Sequence, residues 1–279
     1  MIIVRLWGGL GNQLFQYAFG QYLAKRFKVD VAYDVASFGT SDILRKLEVK
    51  GIVPNFKEYN ASFSKYTGVK NRVLRLCYQM SNTFIDENFF SLDNLDKIVT
   101  RKGDVYLQGY WQNERYAQCL LQSNICSMWQ TSCCLKQLEL QIKESKFSIS
   151  VHVRRGDYFS PKNVGIYGVC DADYYNRAAS IIAEKSNGDA LFFVFSDDID
   201  WVKTNIPLPQ NTVYIPNYDV PQFSYIYLMS LCHANIISNS TFSWWGAYLN
   251  MNLETIVISP KKWTLKTNET IALDRWIKI

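Results

Sequence analysis

Ile2-Ile-Val-Arg-Leu-Trp7, then Gly8-Gly9-Leu10-Gly11, then Asn12–Phe27: this opening decides the fold. The first segment is a continuous apolar run broken only by Arg5, and reads as a β-strand. The glycines after it mark a tight turn. In Asn12–Phe27 the apolar residues fall at 14, 15, 18, 19, 22 and 23, one face at helical spacing, with Asn12 as the expected N-cap. Strand, glycine turn and helix in that order begin a Rossmann-like unit.

Working outward, the stretch from about 40 to 100 carries no clear pattern, Asp104–Gln108 reads as a strand and Glu114–Trp129 as a helix. Strand-like runs restart after the polar stretch Glu139–Lys146: Ser148–Val153, Ala190–Phe195, Thr212–Ile215, Asn235–Ser238 and Thr255–Ser259. Helical segments lie between several of them, over 172–186, 221–233 and 243–250. Alternating strands and helices call for parallel sheets covered on both faces. The expected fold is α/β, two Rossmann-like domains facing each other across a cleft, divided as 1–142 and 143–279. Ligands are expected at the carboxyl ends of the strands.

The composition agrees. A chain of 279 residues, 48% apolar and 20% charged with 14 Gly and 7 Pro, is neither disordered nor fibrous. Its longest uninterrupted apolar run, Ala190–Phe195, is far short of the ~20 residues a membrane-spanning helix needs. The amino terminus lacks a basic region and a cleavage site, so it reads as a first strand and the chain as cytoplasmic. Seven cysteines without a C-x-x-C pair, and only two histidines, point to reduced thiols rather than structural zinc. A net charge of +5, with scattered basic residues, gives no nucleic-acid stripe. It suits an anionic small ligand or a substrate at a membrane surface.

Four constellations carry candidate chemistry. His152-Val-Arg154-Arg155-Gly-Asp157-Tyr158 closes the strand Ser148–Val153 and sets two guanidiniums at a ligand-binding edge. Charges placed there need anions, and the planar donor forks of arginine match phosphate oxygens. Asp157 could orient one arginine or act as a base, and the embedded Arg-Gly-Asp tripeptide also spells an adhesion motif. Ser238-Asn239-Ser240-Thr241-Phe242-Ser243-Trp-Trp-Gly246 places hydroxyls at a helix start, an anion cradle or ordinary capping. The turn Gly8-Gly9-Leu-Gly11-Asn12-Gln13 allows close backbone approach, though it is not a dinucleotide fingerprint. Finally, Asp197-Asp198 ends the strand Ala190–Phe195. These carboxylates could meet a base or ribose, hold a divalent metal (as could Asp171 with Asp173), or cap a helix.

Taken together, Gly8-Gly-Leu-Gly-Asn-Gln-Leu-Phe-Gln-Tyr-Ala18, His152–Tyr158 and Asn239-Ser-Thr-Phe-Ser-Trp-Trp-Gly246 resemble the bacterial α-1,2-fucosyltransferases, glycosyltransferase family eleven. The similarity runs nearly end to end, through Gly168-Val-Cys170 with Tyr174-Tyr175, Leu228–Cys232 and Pro260–Trp263, and is weak in the middle third. It implies a GT-B fold and inverting transfer of L-fucose from GDP-β-L-fucose to the 2-hydroxyl of a terminal β-galactoside, with no metal and no cofactor beyond the donor.

By that resemblance Arg154 and Arg155 hold the diphosphate and Asp197 and Asp198 face the guanosine. Thr241 and Ser243 complete the phosphate cradle, and Gly11 and Asn12 approach the donor from the first domain, the acceptor side. Gly9, Gln13, His152, Asn239, Ser240 and Phe242 belong to the same donor-binding set, with Asp157 as candidate base. The acceptor is expected to be an O-antigen or capsule oligosaccharide, free or lipid-linked, with at most peripheral contact with the inner membrane. Two positions depart from the family pattern: Ser224-Tyr225 stands where an acidic residue is common, and Tyr167-Gly168 where His-Gly is common. A related transferase with another donor or linkage, and a glycan-binding protein suggested by 8 Trp and 18 Tyr, are the alternatives.

Overall fold

The computed structural model describes residues 1–39, 42, 45–59, 84–89, 103–123, 125, 129, 131–161, 163–168, 170–186, 188–252 and 254–279, without the side chains of 89, 157 and 159. Most of the patternless middle stretch lies outside these residues. The helix expected over Glu114–Trp129 stops at Gln122, where Ser123 caps it with its N–H on the Cys119 carbonyl, and Trp129 is not helical.

The chain divides into two compact units, Met1–Met128 and Trp129–Ile279. The division falls before the 142/143 boundary expected from sequence. The polar stretch Glu139–Lys146 overlaps a helix, Lys136–Glu144, that belongs to the second unit. Leu135 and Ile142 are fully buried there, and Glu139 Oε1 accepts from Tyr227 Oη at 3.1 Å.

In the first unit, β1 (Ile2–Arg5) leads into α1 (Leu10–Phe27), followed by β2 (Val31–Asp34), β3 (Phe84–Asp86), β4 (Val105–Gln108) and α2 (Glu114–Gln122). The four strands form one parallel sheet in the order β2-β1-β4-β3. Helix α1 begins two residues earlier than expected: its N-cap is Gly9, which has no side chain to cap with, and Asn12 lies inside the first turn. The Asn12 and Gln13 N–H groups donate to the Gly9 carbonyl at 2.9 and 3.1 Å, which closes the first turn.

In the second unit, α3 (Lys136–Glu144) precedes β5 (Phe147–Val153), the short α4 (Val164–Tyr167), α5 (Ala172–Lys185), β6 (Ala190–Ser196), α6 (Ile199–Asn205), β7 (Thr212–Tyr214), α7 (Phe223–Ser230), β8 (Ala234–Ile236), α8 (Thr241–Tyr248), β9 (Ile256–Ser259) and β10 (Ile277–Lys278). Its parallel sheet has the order β10-β9-β8-β5-β6-β7. The chain runs outward from β5 in one direction and from β8 in the other, so the strand order reverses between β5 and β8. In such sheets ligands bind at that reversal, beyond the carboxyl ends of the strands.

The alternation in β5 has a particular use. Ile149, Val151 and Val153 enter an apolar core with Tyr174, Tyr175, Ala178 and Ile182 of α5. Ser148, Ser150 and His152 on the other face are equally buried. They are satisfied by hydrogen bonds: Asn235 Nδ2 donates to Ser150 Oγ at 2.6 Å and to the Met229 carbonyl at 2.8 Å. Small polar residues thus let the helices of that face pack close without leaving a polar group unpaired.

Candidate active site

Two tyrosines fix the strand ends at the reversal. Tyr175 Oη donates to the carbonyl of His152 at 3.2 Å, and Tyr174 Oη to the carbonyl of Ile237 at 2.6 Å. Both rings are buried among the core residues of α5, so the ends of β5 and the segment after β8 are tied to one helix.

Immediately beyond β5, each of the two arginines is held by a carboxylate and an aromatic ring. Arg154 Nη1 lies 2.8 Å from Asp197 Oδ2, with its guanidinium 5.6 Å from the centre of the Tyr158 ring. Arg155 Nε lies 3.2 Å from Asp198 Oδ2, and its guanidinium sits 3.4 Å over the Trp201 ring. The backbone N–H of Arg155 also donates to Asp197 Oδ1 at 2.8 Å. Both arginine side chains are only about a fifth exposed. Two guanidiniums so close in sequence repel each other, and the paired carboxylates offset that repulsion.

Behind them His152 is buried, with Nδ1 2.9 Å from Ser238 Oγ and its ring 5.5 Å from that of Phe242. Burial, helped by the Arg154 charge, pushes its pKa down to about 3, so the imidazole is neutral at physiological pH. His152 therefore supplies no charge to the edge. It joins β5 to the serine-rich segment.

That segment begins α8. Ser240 is the N-cap, its Oγ accepting from the Phe242 N–H at 3.3 Å, and Ser243 Oγ donates to the carbonyls of Ser240 at 3.2 Å and Ser238 at 3.4 Å. Asn239 is buried: its Nδ2 donates to the carbonyls of Trp263 at 2.9 Å and Tyr167 at 3.1 Å. These side chains are buried behind the helix start. Thr241 and Phe242, partly exposed in the first turn, stand nearer its surface. First-turn N–H groups find no partner within their own helix, which is what makes such a start receptive to phosphate.

The aspartates behave as caps and braces. Asp198 N-caps α6 through the Trp201 N–H, Asp171 N-caps α5 through the Tyr174 N–H, and Asp173 pairs with Arg177. Among the described residues no group of three His, Cys, Asp or Glu side chains could hold a metal ion. The Asp157 side chain lies outside the described residues; its backbone is part of a single turn, Gly156–Phe159.

In the first unit the glycine turn is built from within. Gly8 adopts φ +81, a left-handed conformation, and its N–H donates to Asp42 Oδ2 at 2.6 Å. Gln13 is fully buried and makes four hydrogen bonds: to the carbonyls of Gly8 and Lys46 at 2.9 and 2.8 Å, and from the N–H groups of Glu48 and Val49 at 3.0 and 3.2 Å. With all four amide valences engaged, Gln13 is a brace for the turn, and nothing of its side chain remains for the donor. Asn12 Oδ1 accepts from Gln112 Nε2 at 3.0 Å, which links the turn to the end of β4. Gly9 and Gly11 occupy the cap and first turn of α1.

The sequence reading missed Trp201 and Tyr158 as the rings under the two arginines. Trp201 had a signal, since its place three residues after the cap Asp198 puts it on the first turn of α6, facing the same edge.

Comparison with known proteins agrees with this architecture. The model of glycosyl transferase family 11 matches residues 1–279. The chain belongs to that family. As a family-11 glycosyltransferase it is 30% identical over 98% of its length to the O-antigen biosynthesis glycosyltransferase WbnK of Escherichia coli, covering 98% of that protein. It is also 30% identical to an alpha-1,2-colitosyltransferase of the same organism, over 100% of this chain and 99% of the relative. Human galactoside alpha-(1,2)-fucosyltransferase 1 matches over 36% of the chain and 28% of its own length, at 30% identity. Among solved structures, NodZ alpha-1,6-fucosyltransferase soaked with GDP-fucose superposes with a TM-score of 0.50 at 14% identity, over 89% of this chain and 91% of that one. That likeness establishes the fold: two parallel α/β sheets of the GT-B class. No described helix is long and apolar enough to cross a membrane.

Proposed function

We propose that this family-11 glycosyltransferase moves L-fucose from GDP-β-L-fucose, with inversion, to the 2-hydroxyl of a terminal β-galactoside. The second unit holds the donor, the first serves the acceptor, and the work is done in the cytoplasm on an O-antigen or capsule precursor, free or lipid-linked at the inner membrane. The carrying observation is the pair Arg154 and Arg155, each seated between a carboxylate and a ring at the carboxyl edge of the second sheet. Breaking the sugar–phosphate bond leaves negative charge on GDP. Guanidiniums already oriented, together with the N–H groups at the start of α8, meet that charge without reorganising during the reaction. No metal is required by this scheme.

On this reading Asp197 and Asp198 serve the donor indirectly, by aiming the arginines. Asp157 is the candidate base for the acceptor hydroxyl. A pH–rate profile of Asp157→Asn tests it: a large fall in rate with loss of the acidic limb assigns the base, and a rise in donor KM alone assigns a bracing role.

A second reading, α-1,2 transfer of colitose, is favoured by the full-length similarity to the colitosyltransferase. One experiment addresses both. The protein is incubated with lactose, EDTA and either GDP-fucose or GDP-colitose, and GDP and trisaccharide are measured. Product from GDP-fucose in EDTA supports the first reading, product from GDP-colitose alone supports the second, and loss of turnover on chelation overturns the metal-free scheme.

A further inference from the structure

The carboxyl edge of the first sheet carries a feature that donor binding does not use. The chain leaving β4 runs Gly109-Tyr110-Trp111-Gln112, and Trp111 stands at φ +56, where bulky side chains are rare. A residue in that region persists only when its surroundings impose it, and such positions gather at binding sites.

Here the surroundings impose it from several sides. Glu87, directly after β3, accepts the Tyr110 N–H through Oε2 at 2.6 Å and the Trp111 N–H through Oε1 at 2.9 Å. Gln16 Nε2 donates to the Gly109 carbonyl at 3.3 Å, and the Trp111 carbonyl accepts from the Asn113 N–H at 2.8 Å. The Trp111 indole is buried and stacked on Phe19 with ring centres 4.0 Å apart. A Cβ on Gly109 would come within 2.5 Å of the Glu87 side chain, so the loop and the carboxylate are fitted to each other. Burial raises the Glu87 carboxyl above its ordinary range, although both N–H groups pull it down.

What this clamped backbone displays is Tyr110, 42% exposed. Its ring lies 5.0 Å from that of Trp7 at an inclination of 44°, beside the Gly8 turn. The two rings form a corner at the carboxyl ends of the adjacent strands β1 and β4, with the Arg5 guanidinium 5.0 Å from the centre of the partly exposed Trp7 ring. The corner's rim carries amides and one balanced pair of charges: Gln112 reaches Asn12 at 3.0 Å, and Gln108 bridges the Arg5 guanidinium at 2.8 Å to the Asp86 carboxylate at 2.9 Å. An aromatic corner whose rim offers amides and balances its one cation against a carboxylate suits a neutral ligand with an apolar face and polar edges. Galactose has that form, because its axial 4-hydroxyl leaves the opposite face a run of C–H bonds from C3 to C5.

We propose that Trp7 and Tyr110 seat the terminal β-galactoside of the acceptor, and that Glu87 is the positioning residue that fixes Tyr110 in that seat. The proposal rests on the galactoside-transfer reading above and names its acceptor residues.

The test uses the full chain. Lactose binding is followed by saturation-transfer NMR without nucleotide, with acceptor KM, kcat and GDP affinity measured alongside. Tyr110→Ala raises the KM for lactose roughly tenfold and weakens its direct binding equally, with GDP affinity unchanged. Tyr110→Phe, which keeps the face, stays within about twofold of the parent. Glu87→Gln can accept only one of the two N–H groups and shows an intermediate rise in KM at constant kcat. Lactose binding that depends on Tyr110 in a protein making no fucosylated product keeps the seat and removes the donor assignment. Fucosylation with an unchanged lactose KM in Tyr110→Ala keeps the transfer reading and overturns the seat.

Discussion

The carboxyl edges of the two sheets are assembled from opposite materials. In the second unit the edge is ionic: Arg154 and Arg155 face Asp197 and Asp198, with Tyr158 and Trp201 beneath them. In the first unit amides are prominent, with Gln13, Gln16 and the Gln112–Asn12 pair fastening a glycine turn, while the carboxylates of Asp42 and Glu87 take backbone N–H groups and Gln108 bridges Arg5 to Asp86. On the function proposed above, the same local plan, a strand running into a turn and a helix start, is finished for an anion in one unit and for an uncharged sugar in the other. The difference lies in whether the donors at the edge are guanidiniums, whose charge is strengthened by partial burial, or amides, which hydrogen-bond hydroxyls at little desolvation cost.

The comparison can be broken most sharply at the arginines. Arg154→Ala or Arg155→Ala is expected to lower kcat by about 10²–10³ in a folded protein, the usual effect of removing one preorganised donor. Steady-state kinetics check it, and near-normal turnover in either variant would remove the ionic edge from catalysis.

Gln13→Ala is the matching change in the first unit. It leaves two carbonyls and two N–H groups without their partner, and a stability loss of about 2–3 kcal/mol is expected. Urea unfolding measures it. A loss of GDP affinity with unaltered stability would instead return Gln13 to the donor site.

The neutral, buried His152 sharpens the contrast through pH. Its folded pKa of about 3 lies below the ordinary 6.5, so the stabilisation is complete above pH 6.5. It is lost at up to about 1.4 kcal/mol per pH unit as the pH falls from 6.5 toward 3, since only the unfolded chain takes up the proton. Acid unfolding followed by circular dichroism is expected to lose part of that slope in His152→Asn. An unchanged slope would mean that the imidazole is already charged in the fold.

The smallest effect belongs to Gly8→Ala. A side chain at φ +81, with its Cβ 2.9 Å from Asn12 Nδ2, should cost about 1 kcal/mol, seen as a modest fall in Tm.

Much of the second edge was readable in the sequence. β5, β6, β8 and β9 were expected nearly at their observed bounds because runs such as Ala190–Phe195 are too apolar and too short for anything but a covered strand. The arginines followed, since a strand ending in Arg-Arg has to deliver them at its end. The first unit was less legible. β2 and β3 are strands of four and three residues without alternation, and α1 was started too late because a glycine cap carries no capping side chain to announce it. Glu87 gave no signal, being separated from Tyr110 and Trp111 by residues 90–102, for which no element was expected.

By itself, the order of residues determined the parallel α/β architecture, the family and the presence of paired guanidiniums beside a hydroxyl-rich helix start. Those features depend on short-range periodicity and on contiguous motifs, which a linear reading captures. The tertiary structure alone decided that Asp197 and Asp198 face the arginines, that Gln13 spends its amide on the turn, and that Glu87 holds a tryptophan at positive φ. Each of these joins atoms distant along the chain, and hydrogen bonds of 2.6 to 3.2 Å are set by packing rather than by spacing in sequence.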